Sequence, residues 1–135
     1  MIIKLKKLWL IAFLVYIIII LFLTVVNRVP NASNTVKLDL FWGYKRINIY
    51  VIIDNILNIA SFVPIGLMAG VVFRRQRIIK ALLIGLLVSI VIEGSQFMWH
   101  RGVFDVDDLF NNTVGALIGG MIVALMVKVR DLRKG

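Results

Sequence analysis

Residues 8–26 form an apolar run without one charged side chain. A run of that length crosses a bilayer as a helix, which takes about 20 apolar residues, or roughly 17 at the lower limit. The pattern recurs over residues 55–73, 79–99 and 109–127, although the last reaches spanning length only by taking Asn111 and Asn112 into its first turns. Composition agrees with this reading. Of 135 residues 61% are hydrophobic and 17% charged, against about 45–50% and 25% in soluble domains. With no cysteine in the chain, a disulfide-stapled scaffold is excluded. A secretory leader is a poor account of the first run, which exceeds the usual 7–15 apolar residues and is followed by no small-residue cleavage site. The expectation is a single all-α membrane domain over residues 1–135, made of four antiparallel transmembrane helices.

The net charge of +9 then has a simple meaning. Lys4, Lys6, Lys7, Arg74, Arg75, Arg77, Lys80, Lys128, Arg130, Arg133 and Lys134 fall on one side of the four spans. Arg28, Lys37, Lys45, Arg46 and Arg101 fall on the other. Basic residues in short loops favour the cytoplasm, so both termini are expected there, in a multi-pass membrane protein with the longer connection 27–54 outside. The positive charge is a topology signal, not a nucleic-acid footprint. Within the long connection, residues 27–34 have turn composition, and 36–40 alternate like a short strand. Phe41, Trp42, Tyr44 and Tyr50, with Trp9 and Trp99, suit the membrane interface.

A charge at the centre of a spanning helix costs about 2.5–3.5 kcal/mol on insertion scales, so intramembrane polar residues need a reason. Ser89, Glu93, Gln96 and His100 share one face of span three. Asn58, Phe62, Gly66 and Gly70 repeat every four residues in span two, with Asn55 one turn above. Asp108, Asn112, Gly115 and Gly119 share a face of span four, directly after Asp105 and Asp107. With the expected orientation, all three polar sets lie at the outer end. Asn58, Ser89, Glu93, Gln96, Arg101, Asp105, Asp107, Asp108 and Asn112 are therefore the candidate lining of one outward polar pocket. Phe62, Gly66, Gly70, Gly115 and Gly119 are expected to pack the helices, since small residues let backbones approach. Pro64 is expected to kink span two and leave its outer half irregular.

Several roles fit these residues. Asp105, Asp107 and Asp108, with Glu93, are weak candidates for a divalent cation, because the glycine and terminal glutamate of an EF-hand loop are missing. An anion-excluding rim is a second role, and a cap at the start of span four through Asp108 or Asn111 a third. No other cofactor is indicated. Glu93 with Gln96 and His100 could serve acid–base chemistry, but no activated nucleophile is nearby. A hydrogen-bonded strut through Asn58 and Asn112 is preferred. Arg101 is expected to pair with Asp105 or with lipid phosphate.

The segment Asn58-Ile-Ala-Ser-Phe62-Val-Pro64-Ile-Gly66, then Ser89-x3-Glu93-x2-Gln96, then Arg101-x3-Asp105-x-Asp107-Asp108-x3-Asn112-x2-Gly115, closely resembles the VanZ-like family. The resemblance covers roughly residues 55–127; earlier residues match only loosely, through Leu38-Asp-Leu-Phe-Trp-Gly-Tyr44. It implies a small bacterial membrane protein, from a family whose name-giving member is associated with low-level teicoplanin resistance. Together with the pocket, it points to a protein that binds or modulates a cell-envelope component, such as a lipid headgroup or a cell-wall precursor. A membrane-embedded hydrolase or transferase acting on such a headgroup is the alternative, and a structural membrane subunit a further one.

Overall fold

The computed structural model describes residues 2–26 (side chains from Lys7), 35–41 and 48–135. Helix α1 spans Ile2–Leu21 and continues as one π-helical turn, Phe22–Val26. A two-residue strand β1, Val36–Lys37, precedes α2, Ile49–Val72. Then follow α3, Arg77–Met98, strand β2, Phe104–Asp105, and α4, Val106–Leu132. All four helices, the first together with its π turn, are long and apolar enough to cross a membrane. The turn at 27–34 and the aromatics Trp42 and Tyr44 lie outside the described residues, as do Arg28, Lys45 and Arg46.

The helices outrun the apolar stretches because polar caps, not hydropathy, end them. Asn48 caps α2, its side chain accepting from Tyr50 N at 3.0 Å, so this helix begins well ahead of residue 55. Asp105 caps α4 by accepting from Asp107 N at 2.9 Å. That corrects the cap expected at Asp108 or Asn111, and Asp107 and Asp108 instead occupy the first turn, where the helix dipole favours negative charge. At the end of α3, Arg101 N donates to Gln96 O at 2.8 Å and His100 N to Phe97 O at 3.2 Å. This is a Schellman closure with His100 in the left-handed position, φ 53°. Helix α2 runs as unbroken helix through Pro64, in place of the irregular outer half expected there. Tyr16 Oη of α1 donates to Ser61 O at 2.9 Å, next to the Ala60 carbonyl that Pro64 deprives of a donor.

Packing follows from small residues. An added Cβ on Gly66 would run into the carbonyl oxygen of Ala116; on Gly115, into that of Ile59; on Gly119, into that of Val63. The glycine hydrogens in those directions therefore face carbonyl oxygens across the seam, the arrangement of Cα–H···O contacts. Ile59 with Gly115, Val63 with Gly119 and Gly70 with Val123 rise together on both helices, so α2 and α4 are parallel with their backbones in contact. Between α3 and α4 the order reverses: Gly85 meets Ala116 and Ala81 meets Gly120. Consecutive helices thus alternate in direction, while the tightest seam joins two that are not consecutive. Phe62, Ile65, Ala69, Ala81, Ile92 and Ala116 form the interior, and Phe13, Ile20 and Val25 dock the first helix on it. Outward residues are as apolar as the core. Leu87 and Leu125 are each 62% exposed, an arrangement suited to lipid rather than water.

Candidate functional site

The three polar sets meet at the end of the bundle where α2 and α4 begin, here called the loop end. In α2 and α4 the amides make direct joints. Asn58 Nδ2 donates to Asp108 Oδ1 at 2.6 Å, and Asn111 Nδ2 to Asn55 Oδ1 at 2.9 Å. One turn deeper, Asn112 Nδ2 donates to Ser89 Oγ of α3 at 2.9 Å. In hydrocarbon such polar groups have no water to turn to, so each joint avoids a desolvation cost of several kcal/mol. Glu93, 2% exposed, points into the bundle, and its Oε2 accepts from Asp105 N at 3.2 Å. The strut is therefore distributed: Asn58 and Asn112 bond Asp108 and Ser89, and Glu93 receives a backbone donor from the start of α4.

The first helix contributes more than apolar wall. Its π turn ends the helix, and the last carbonyls of a helix have no intrahelical donor. Gln96 Nε2 donates to Thr24 O at 3.0 Å, and the Arg101 guanidinium donates to Val26 O. Thr24 Oγ1 bonds back to Ile20 O at 2.7 Å. One partner of Arg101 is thus a backbone carbonyl of the π turn. Asp105 is met by Lys37 Nζ at 3.7 Å.

Lys37 arrives because residues 35–41 lie over the loop end as a strap. Strand β1 pairs with β2 in parallel, Val36 opposite Phe104 and Lys37 opposite Asp105. Phe104 N donates to Thr35 O at 3.2 Å. Farther along, Phe41 N donates to Asp107 Oδ1, and the Phe41 ring meets Phe110 edge-on at 5.3 Å. Asp107 is consequently buried, 6% exposed. Asp105 is thus a helix cap, and Asp107 anchors the strap. The three aspartates also turn to different partners. Among the described residues no three His, Cys, Asp or Glu side chains gather as a metal site.

Beneath the strap lies a cavity of about 610 Å³. Asn58, Glu93, Gln96, Arg101, Asp105, Asp107, Asp108 and Asn112 line it, and Ser89 sits behind Asn112. His100 is exposed outside it. Two lining groups keep an unused hydrogen-bonding atom: Asn55 Nδ2 and Asn112 Oδ1 are buried without a partner.

The profile of the VanZ/LLP1 family matches residues 8–127, which take in most of all four spans and every residue that lines the cavity. The chain belongs to the VanZ/LLP1 family. It is also 30% identical over 81 residues to Protein VanZ of Enterococcus faecium, a match that covers 60% of this chain and 50% of that protein. The chain thus matches about half the length of this curated relative. No solved structure matches. For this VanZ/LLP1 chain, sequence reasoning left Leu23, Thr24, Lys37, Asp54 and Asn55 out of the pocket lining that the structure gives them. Thr24, a hydroxyl in an otherwise almost wholly apolar run, was a usable signal. Asn55, one turn from Asn58, was another. Nothing local marks Lys37, which the strap brings across.

Proposed function

We propose that this VanZ/LLP1 protein binds or modulates a cell-envelope component through the cavity at the loop end, and that this end faces outward. One observation carries the reading. A large cavity lined by carboxylates, amides and two cations is built among helices otherwise made for lipid, with two buried amide atoms still unsatisfied. The division of basic residues supports the orientation, with both termini in the cytoplasm. Family membership supports a link between this binding and glycopeptide tolerance.

The test is teicoplanin susceptibility in a sensitive Gram-positive host expressing the chain, beside Asp108→Asn and Asn58→Ala at matched protein level. The wild type should raise tolerance, and both variants should reduce that gain. Full tolerance in both variants would refute a role for the cavity.

A further inference from the structure

The end of the bundle opposite the cavity, here called the turn end, is strongly basic. The α2–α3 turn brings Arg74 and Arg75 to it, and the close of α4 brings Lys128, Arg133 and Lys134. Of the chain's seven acidic side chains, Asp131 alone stands there, and it pairs with its neighbour Arg130 at 3.1 Å. Other basic groups of this end are used inside the protein. The Arg77 guanidinium donates to Gly70 O, and Lys80 Nζ lies 5.2 Å from the centroid of the Phe73 ring. Arg74, Arg75, Lys128, Arg133 and Lys134 differ. Their side chains are exposed and make no hydrogen bond or ion pair with any described residue. The start of α1, at the same end, adds Lys4, Lys6 and Lys7 and no acid, so no acidic side chain remains to cancel the charge.

The shape of this end is an independent observation. Val123 of α4 packs against Gly70 of α2, and α2 stops soon after, at Val72. Helix α4 runs on to Leu132, so residues 126–132, about two turns at 3.6 residues each, project past the α2–α3 turn. The 27 residues of α4 make about 40 Å, against about 30 Å of hydrocarbon. Its apolar stretch stops at Val127, so the excess at this end falls in the headgroup layer. The projecting turns are not polar throughout. Met126, Val129 and Leu132 follow at three-residue spacing along one side and are 65%, 41% and 73% exposed. Apolar side chains with cations beside them, at that depth, meet acyl chains and phosphates together.

We infer that the turn end is a docking surface for anionic phospholipid, seated in the corner between the α2–α3 turn and the projecting end of α4. Lipid phosphates meet the guanidinium groups of Arg74 and Arg75 and the ammonium groups of Lys128 and Lys134, and acyl chains cover Met126, Val129 and Leu132. A soluble anion would match the charge but leave those apolar side chains in water. The surface is separate from the cavity and stands or falls without it.

The experiment is native mass spectrometry of the full chain in detergent, titrated with phosphatidylglycerol and phosphatidylcholine of identical acyl chains. Phosphatidylglycerol should be retained about tenfold better, since each basic residue at an anionic surface contributes up to about fivefold before screening. Two sets of substitutions divide the surface: Arg74→Gln with Arg75→Gln, and Lys128→Gln with Arg133→Gln and Lys134→Gln. Either set alone should lower the preference about threefold, and both together should bring it close to parity. Thermal unfolding in lipid-free detergent should match the wild type for both sets, because the replaced side chains are exposed. Asp131→Asn should act in the opposite direction and raise the preference, by releasing Arg130. Equal retention of the two lipids by the wild type would overturn the inference. So would a preference that survives neutralisation of both sets, which would place the lipid elsewhere. Displacement of phosphatidylglycerol by soluble glycerol phosphate at equal concentration would overturn the lipid surface and assign the cations to a free phosphate.

Discussion

Asp107 differs from its neighbours Asp105 and Asp108 in what depends on it. Its carboxylate sits in the first turn of α4 and receives Phe41 N, 66 residues away in sequence. Asp107→Ala would remove that hydrogen bond to a charged acceptor, at a cost of about 1.5–3 kcal/mol. The strap should then loosen, so protease cleavage within 35–41 should accelerate in Asp107→Ala and much less in Asp107→Asn, which keeps an acceptor. Asp105 has the separate duty of capping α4. Asp105→Ala should lower stability by about 1 kcal/mol, while Asp105→Asn should stay within a few tenths, as read by thermal unfolding in detergent. At the far end of α3, His100 holds a left-handed conformation that costs a side-chain-bearing residue about 1 kcal/mol. His100→Gly should raise the unfolding temperature, by the equivalent of at most that amount.

Among elements, the decisive contact is the seam between α2 and α4. Gly66→Ala, Gly115→Ala and Gly119→Ala each place a methyl where a backbone carbonyl already lies. Each should therefore reduce folded protein sharply, with costs at or above the 1–3 kcal/mol typical of overpacking. Gly94→Ala is the control, since a Cβ there meets nothing within 4 Å and the helix gains up to about 1 kcal/mol in propensity. Comparable losses in all four variants, measured by quantitative blotting and thermal unfolding, would contradict the seam. The Gly-x-x-x-Gly spacing was legible in the sequence, and so were the four spans and eight of the twenty residues around the cavity. What faced the glycines was not. Short connections identify consecutive helices as neighbours, whereas the closest approach depends on which small surfaces match across a distance in sequence. Helix starts at Ile49 and Val106 were hidden for a related reason: apolar runs mark the hydrocarbon layer, and caps act outside it. The π turn and the strap depend on contacts made only after the chain has folded, Thr24 with Gln96 and Phe41 with Asp107.

At the scale of the molecule, the charge asymmetry makes a topology claim open to direct assay. A reporter fused after Gly135 should be active in the cytoplasm, and one inserted within residues 27–47 should be active outside. Equal activity on one side would refute the orientation, and the outward cavity with it. The polar joints also bear on how the chain is made. The first span has a mean hydropathy of 3.0 and needs no other helix to enter the bilayer. Asn55, Asn58, Ser89 and Glu93 all have hydrogen-bond partners on α4 or its cap, which leaves the ribosome after the other three helices. Until then the insertion machinery holds two helices carrying unmet polar groups, and quality-control proteases would see a nascent chain that is incomplete rather than misfolded. A ribosome stalled before residue 106 should therefore leave a product cleared faster than one stalled after residue 120, once α4 can reach its partners.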